Sequence, residues 1–178
     1  GEVQMKAPWN MIGYYDAEEK TKEVLRDGWV HTGDQGEITK DGYLKLTGRV
    51  KDTSKTTKRE YTVPAPIGWK AAMNEYIEQI CIVGLGIPQP IALVNLSEIG
   101  QAADKAEVTA SFNEMLETIN PTMESYNRVK KIIIMSELWS VENNILTPTL
   151  KIKRNVLDRL YRDQFHDWFA EADAVLWK

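Results

Sequence analysis

The sequence predicts an α+β fold, and three features of its 178 residues support that prediction. Short strand-like runs separated by glycine turns fill the first third of the chain. The segment 76–84 has a continuous apolar centre that is typical of a buried strand, and 91–96 and 128–135 also predict strands. Apolar residues at helical spacing predict helices over 108–119 and from 155 to about 169. We therefore expect a small α+β domain with a short, mostly antiparallel sheet and packed helices from about residue 52 onward.

The composition is that of a globular protein in which acidic residues outnumber basic ones, although lysine and arginine cluster at 51–59 and 151–162. Hydrophobic residues make up 43% of the chain and the net charge is −4, so the charge balance does not indicate a nucleic-acid partner. The single cysteine, Cys81, lies in an apolar run and allows no internal disulfide, which fits a buried thiol in a reducing compartment. No apolar run reaches the roughly 18 residues of a membrane span.

The start of the chain is interpreted as the inside of a longer protein. It opens on Gly1-Glu2-Val3 without an initiator methionine or a signal peptide, so we expect a fragment. The first third also has too few apolar residues to close a core alone. This agrees with its being the edge of a larger domain.

The first fifty residues predict one helix and several strands. Asp16 is a candidate cap for a helix over 17–25, and Asp27-Gly28 predicts a turn after it. We expect a short strand over 29–32 with Gly33-Asp34 turning out of it. A hairpin with a Lys40-Asp41-Gly42 turn follows.

The remainder alternates strands and helices. A helix is predicted over 68–73, then a strand over 76–84 with an antiparallel partner at 91–96. Ser97 is a candidate cap for a short helix, and Asn120-Pro121 ends the helix at 108–119. After a third strand at 128–135, Asn155 is a candidate cap for the C-terminal helix.

Three sequence blocks hold the polar residues that could carry chemistry. They are Gly28-Trp29-Val30-His31-Thr32-Gly33-Asp34, the basic stretch from Gly48 to Pro66, and Leu146-Thr147-Pro148-Thr149-Leu150-Lys151-Ile152-Lys153-Arg154. Each has an ordinary structural interpretation when taken alone. Asp34 suits a turn, the basic stretch suits a solvated hairpin, and Lys151 suits a solvated surface. The sequence contains no Cys/His cluster for zinc and no motif for a nucleophile triad with either histidine, and we expect no metal site in this chain.

Together and in this order, the three blocks resemble the C-terminal part of the adenylate-forming (AMP-binding) enzymes. The resemblance is strongest to the long-chain acyl-CoA synthetases, or fatty acid–CoA ligases, and it covers nearly the whole chain. It implies that residues 1–50 end the large adenylating domain and that 51–178 form the mobile C-terminal domain. The implied parent uses ATP to activate a long-chain fatty acid as acyl-AMP and transfers the acyl group to CoA. The implied Mg²⁺ site and the acyl pocket belong to the large N-terminal domain, so the fragment alone is expected to be inactive.

The resemblance also assigns roles to four residues. It makes Asp34 the acceptor for the ribose hydroxyls of ATP and the acyl-adenylate, and it places Arg49 beside the same nucleotide. It places the hinge between the two catalytic poses at Lys51. It assigns Lys151 to the adenylation site, where its charge would stabilise the α-phosphoryl group during attack by the substrate carboxylate.

One loop departs from the family pattern. Lys58, Arg59 and Glu60 correspond to a loop on the CoA side, and Arg59 stands where the long-chain branch carries glycine. Gly68 likewise stands where the family has a glutamate. We hypothesise that Arg59 weakens thioester formation, because glycine there permits close backbone approach to the pantetheine arm. A solvated Arg59, or one that contacts CoA phosphates, is the open alternative.

Two other functions stay open at this point. The parent could pass the acyl group from acyl-AMP to another acceptor, or the chain could be a non-catalytic interaction or degenerate domain. The partners implied by the resemblance are the protein's own N-terminal AMP-binding domain, a carboxylic acid and CoA. We expect a cytoplasmic location, with peripheral attachment to a membrane as an alternative, and self-association of the isolated fragment is plausible because its domain-facing surface would be exposed.

Overall fold

The computed structural model describes residues 1–50, 54–55, 61–62, 73–84 and 86–178. The chain divides into two compact units, Gly1–Asp52 and Thr53–Lys178. The predicted helix at 68–73, the hinge residue Lys51 and the loop residues Lys58, Arg59 and Glu60 lie outside the described residues, and so does Gly68.

Unit 1 is a four-stranded antiparallel sheet with one short helix. Its elements are β1 (Glu2–Met5), α1 (Glu18–Val24), β2 (Leu25–Arg26), β3 (Trp29–Ile38) and β4 (Leu44–Arg49). The long strand β3 is central, because Gln35 pairs with Glu2 of β1 and with Gly48 of β4 on opposite edges. Strand β2 pairs with the N-terminal end of β3.

Two turns in unit 1 form at the residues predicted from the sequence. Asp27 and Gly28 have φ values of 51° and 79°, and they join the paired residues Arg26 and Trp29 as a two-residue turn with left-handed backbone. The β3–β4 turn also forms as predicted, with Gly42 at φ 83°. Its Gly42 N–H donates to the carbonyl of Thr39 at 2.9 Å.

Two expectations for unit 1 are wrong. Gly33-Asp34 does not turn the chain, because β3 continues through both residues to Ile38. Asp16 does not cap α1. It has a φ of 47°, outside the extended backbone that a capping residue adopts, and Ala17 precedes the helix without a side-chain cap.

Unit 1 has no buried core of its own. None of residues 1–50 is fully buried, and several large apolar side chains face outward. Ile12 is 99% exposed, and Trp9 is 86% exposed. The expectation that this part cannot close a core alone agrees with this surface.

Unit 2 has a four-stranded sheet of mixed direction. The strands of unit 2 as a whole are β5 (Ser54–Lys55), β6 (Tyr61–Thr62), β7 (Ile77–Val83), β8 (Ile91–Leu96), β9 (Lys131–Ile134) and β10 (Val175–Trp177). The main sheet has the order β10-β9-β8-β7, and β5 pairs with β6 separately. The helices are α2 (Glu98–Ala102), α3 (Lys105–Ile119), α4 (Arg154–Tyr161) and α5 (Phe165–Ala170).

The α+β class is confirmed, but the strand directions in the main sheet differ from the mostly antiparallel expectation. Only β7 and β8 are antiparallel there, whereas β8 and β9, and β9 and β10, are parallel. Parallel neighbours require a crossover connection, which α2 and α3 supply before β9 and α4 and α5 supply before β10. The strand β10 was also not predicted, because its three residues are too few to show a periodic pattern.

Two apolar layers enclose this sheet. Side chains of β8 alternate between them, so that Ala92, Val94 and Leu96 join α3, whereas Ile91 and Leu93 join α4 and α5. Phe112 of α3 and Phe165 of α5 are fully buried in the two layers. The predicted helix at 155–169 is interrupted by a 3-10 turn at Arg162–Gln164, and the resulting α4 and α5 pack on the opposite face of the sheet from α3.

The helix ends in unit 2 match the prediction at one site and not at another. The Ser97 hydroxyl accepts from the Gly100 N–H at 3.1 Å, so Ser97 caps α2 as predicted. Asn155 does not cap α4, because the Val156 N–H already donates to the Lys153 carbonyl at 2.8 Å and the helix starts at Arg154.

Candidate functional site

Asp34 and Arg49 form an ion pair across two neighbouring strands of unit 1. They are direct partners in the β3–β4 register, and Arg49 Nε lies 3.2 Å from Asp34 Oδ1. The Asp34 side chain is 33% exposed and that of Arg49 is 69% exposed. The structure therefore brings together the two residues that the sequence assigned to nucleotide binding, at a surface that a ligand can reach.

Backbone contacts fix the position of this pair. The Val50 N–H donates to the Gly33 carbonyl at 2.8 Å, directly beside the ion pair. The Asp34 N–H donates to Thr32 Oγ1 at 3.1 Å, and that hydroxyl donates to the Val3 carbonyl at 2.8 Å. Gly33, between them, has a φ of 74°, a backbone conformation that glycine adopts without strain.

Glu2 and Gln4 contact the segment 31–33 and were not identified as site residues from the sequence. The carboxylate of Glu2 reaches His31 Nδ1 at 2.8 Å and the Gly33 N–H at 3.2 Å. The hydrogen bond to His31 is the main cause that holds the pKa of the Glu2 carboxyl below its ordinary value. The Gln4 amide lies 3.4 Å from the same ring nitrogen. No local pattern marks Glu2, because its partners lie 29 and 31 residues away.

Lys151 lies in unit 2, at the end of a tight loop. The Thr147 N–H donates to the Lys151 carbonyl at 2.8 Å, and the Lys151 N–H donates to Thr147 Oγ1 at 3.0 Å. Leu150 has a φ of 59°, and its N–H donates to the Thr147 carbonyl at 2.8 Å. Lys151 itself is exposed. The loop thus presents a solvated ammonium group on a defined backbone.

The base of this loop is closed by short contacts. Leu146 and Ile152 form a β-bridge, and the Lys153 N–H donates to the Ile145 carbonyl at 2.8 Å. The Lys153 ammonium donates to Asn144 Oδ1 at 2.5 Å. Lys153 therefore stabilises the loop rather than serving only as a second surface charge.

The residues that the structure describes hold no group of three or more His, Cys, Asp or Glu close enough to bind a metal ion. Within the same residues, no helix is long and apolar enough to cross a membrane; α3 has only 15 residues. The single thiol, Cys81, is buried in β7 at 3% exposure.

Comparisons with known proteins agree with these features. The sequence model of the AMP-binding enzyme C-terminal domain matches residues 36–173. The chain is 30% identical to fatty acyl-CoA synthetase B of Dictyostelium discoideum over 97% of its own length and 28% of that protein's. It is 31% identical to human long-chain-fatty-acid–CoA ligase 1 over 96% of its length and 27% of that protein's. The chain thus spans little more than a quarter of these relatives.

The fold also has a solved counterpart. The adenylation domain of a carboxylate reductase from Mycobacterium chelonae superposes with a TM-score of 0.79 at 22% identity. The match covers 96% of this chain and 28% of that one.

Proposed function

The chain belongs to the AMP-binding enzyme C-terminal domain family, and from that premise we propose that it is the C-terminal part of an ATP-dependent acyl-CoA ligase. The intact protein would activate a long-chain fatty acid as acyl-AMP and then transfer the acyl group to CoA. Its relatives at 30% and 31% identity bear the names fatty acyl-CoA synthetase and long-chain-fatty-acid–CoA ligase. The observation that carries the proposal is the Asp34–Arg49 pair, found inside the segment that the family pattern assigns to the nucleotide.

In this proposal, Asp34 accepts hydrogen bonds from the vicinal ribose hydroxyls of ATP. An ionised carboxylate offers two acceptor oxygens, and the partial exposure of Asp34 leaves it accessible from solvent. Arg49 Nε fixes the carboxylate from the neighbouring strand, and the guanidinium charge favours an anionic nucleotide. The charge and donor pattern of the pair fit the sugar and phosphate chemistry of ATP.

Lys151 would act in the adenylation step. Negative charge shifts onto the α-phosphoryl group as the substrate carboxylate attacks and pyrophosphate leaves, and a fixed ammonium group stabilises that transition state. The hydrogen-bonded loop from Thr147 to Lys151 supports this role, because it limits the backbone freedom of Lys151 before substrate arrives.

We further propose that residues 1–50 end the large adenylating domain and that 51–178 form the mobile domain, with the hinge at Lys51. The division of the chain into units after Asp52 supports this boundary. The exposed apolar side chains of unit 1 support a partner surface, which would be the protein's own N-terminal domain. When that domain is missing, the same surface favours self-association.

The proposed ligands follow from the reaction. ATP and CoA are the co-substrates, and Mg²⁺ would be held by the N-terminal domain, as the family resemblance implies. We propose a cytoplasmic location, with peripheral contact to membranes that supply the fatty acid.

The test is carboxylate-dependent exchange of pyrophosphate with ATP, measured on the full-length protein across a series of acids. We expect exchange with long-chain fatty acids and a rise of about tenfold or more in the KM for ATP on Asp34→Ala, as loss of a charged hydrogen-bonding partner costs ~1.5–3 kcal/mol. Glu37→Ala, on the same strand, is the control. Absence of exchange with every acid would refute the ligase proposal. If exchange occurs but the acyl group is transferred only to a carrier protein, then the acceptor is that protein and not CoA.

A further inference from the structure

The Glu2 carboxylate links strand β1 to two successive parts of the nucleotide segment on β3. Its Oε2 lies 2.8 Å from His31 Nδ1, and its Oε1 accepts from the Gly33 N–H at 3.2 Å. The side chains of Glu2 and His31 are only 28% and 18% exposed. One carboxylate therefore uses both oxygens on the two residues that flank Thr32.

This link determines how Gly33 is held. Gly33 has a φ of 74° within a strand. Because glycine lacks a Cβ, its backbone has more conformational freedom than that of any other residue type. Its N–H is bound by Glu2 and its carbonyl by the Val50 N–H at 2.8 Å. Fixing both groups removes that freedom immediately before Asp34.

A second link from β1 acts on the other side of Gly33. The Thr32 hydroxyl donates to the Val3 carbonyl and accepts from the Asp34 N–H. Consecutive residues of β1, Glu2 and Val3, thus hold consecutive parts of the segment that ends in Asp34. The backbone that carries the Asp34 carboxylate is therefore held by contacts from β1, in addition to the contact of the carboxylate with Arg49.

We propose that Glu2 is a positioning residue for nucleotide binding, which acts through Gly33 and Asp34 and does not touch the ligand. This inference rests on the proposed role of Asp34. It predicts that loss of the Glu2 carboxylate weakens ATP binding through a displaced Asp34, whereas the chemical step on bound ATP is nearly unchanged. The distinction matters because a residue that only stabilised the fold would change the active fraction and not the KM.

The experiment measures the KM for ATP and kcat of pyrophosphate exchange in the full-length protein, for Glu2→Ala, Asp34→Ala and the double variant. We expect Glu2→Ala to raise the KM about tenfold with a less than threefold change in kcat, in line with the large cost of small misplacements. In the Asp34→Ala background, Glu2→Ala should have no further effect, because residues that act as one unit are not additive.

Three further variants keep the test decisive. Glu2→Gln keeps an acceptor oxygen for the Gly33 N–H, and its amide N–H can donate to His31 Nδ1 when the imidazole proton is on Nε2, so its KM should stay within about threefold of wild type. His31→Ala leaves the Gly33 contact in place and should raise the KM less than Glu2→Ala does. Glu37→Ala on the same strand removes only an exposed pair with Lys45, at 3.2 Å, and should leave the KM unchanged.

The outcomes separate this inference from the proposed function. If Asp34→Ala raises the KM and Glu2→Ala does not, the positioning role is wrong and the ligase proposal stands. If the two effects add in the double variant, Glu2 acts independently of Asp34 and the inference is again wrong. If Asp34→Ala leaves the KM unchanged, both the nucleotide role of Asp34 and the inference built on it fall.

If Glu2→Ala does not fold, the Glu2→Gln and His31→Ala variants decide the question. A KM for Glu2→Gln raised as far as that of Asp34→Ala would overturn the inference. A near-wild-type KM for Glu2→Gln, together with a raised KM for His31→Ala, would support it.

Discussion

Asn95, near the end of β8, makes three hydrogen bonds to the segment 135–139, which leads toward the Lys151 loop. It is 1% exposed, and its Nδ2 donates to the Glu137 carbonyl at 2.9 Å and to the Met135 carbonyl at 3.4 Å. Its Oδ1 accepts from the Trp139 N–H at 2.7 Å. The buried side chain of Asn95 thus hydrogen-bonds backbone groups of Met135, Glu137 and Trp139, three residues that lie outside the strands and helices.

Asn95→Ala should destabilise unit 2 by about 2–4 kcal/mol. The two shorter contacts matter most, and a buried backbone group left without a partner costs ~1–3 kcal/mol. For a unit of this size, ~1 kcal/mol corresponds to a shift in Tm of roughly 3–5 °C, so we expect a decrease of about 10 °C. The length of the weaker contact, to Met135, places its loss at the lower end of the range.

The measurement is urea unfolding followed by tryptophan fluorescence, with thermal unfolding by circular dichroism. Trp139 and Trp168 are each 4% exposed, so both report on the unit 2 core. Asn155→Ala is the matched control, since Asn155 is exposed on α4 and its change should stay within about 0.5 kcal/mol. If Asn95→Ala also falls within about 0.5 kcal/mol of wild type, then the polar contacts of Asn95 do not stabilise this segment and the reasoning is wrong.

Two other substitutions test charge and packing in unit 2. Burial is the main cause that raises the pKa of Asp158, and its buried Oδ1 accepts no hydrogen bond from the described residues. The folded state therefore binds a proton more tightly than the unfolded state, so stability falls as pH rises from the unfolded pKa through the folded one. Asp158→Asn should then raise Tm more at pH 7 than at pH 3, as measured by thermal unfolding at both values; an equal or opposite difference contradicts the assignment. Phe165→Ala removes a ring that is 0% exposed and 6.1 Å from the Trp168 ring, and should cost ~3–5 kcal/mol in urea unfolding. A loss below ~1 kcal/mol would show that α5 is not part of the core.

The sequence predicted the helices and strands best where periodicity extends over several turns. Val108, Phe112, Leu116 and Ile119 repeat at helical spacing, and all four are buried on α3. The antiparallel pair β7 and β8 was likewise confirmed. Strand direction beyond that pair was not predictable from local pattern, because it depends on where the crossover helices return the chain.

The candidate site was predicted only where its residues lie in local sequence blocks. Asp34 and Arg49 lie in recognisable blocks, and the β3–β4 register brings these two proposed nucleotide-binding residues together. Glu2 has no local signal, since its role arises only when β1 pairs with β3. Gly33 was interpreted as a turn because glycine and aspartate favour turns, whereas tertiary contacts from Glu2 and Val50 keep it within a strand.

The catalytic role proposed for Lys151 requires that this residue acts in only one of the two half-reactions. In the full-length protein, acyl-adenylate formation is measured by pyrophosphate exchange, and thioester formation is measured from supplied acyl-adenylate and CoA. Lys130→Ala, an exposed lysine in the same unit, is the control. We expect Lys151→Ala to slow adenylate formation by about 10²–10³-fold, the usual effect of removing one group that stabilises a transition state, and to leave thioester formation within about threefold of wild type. An equal loss in both half-reactions, or no loss in the first, would contradict the proposal.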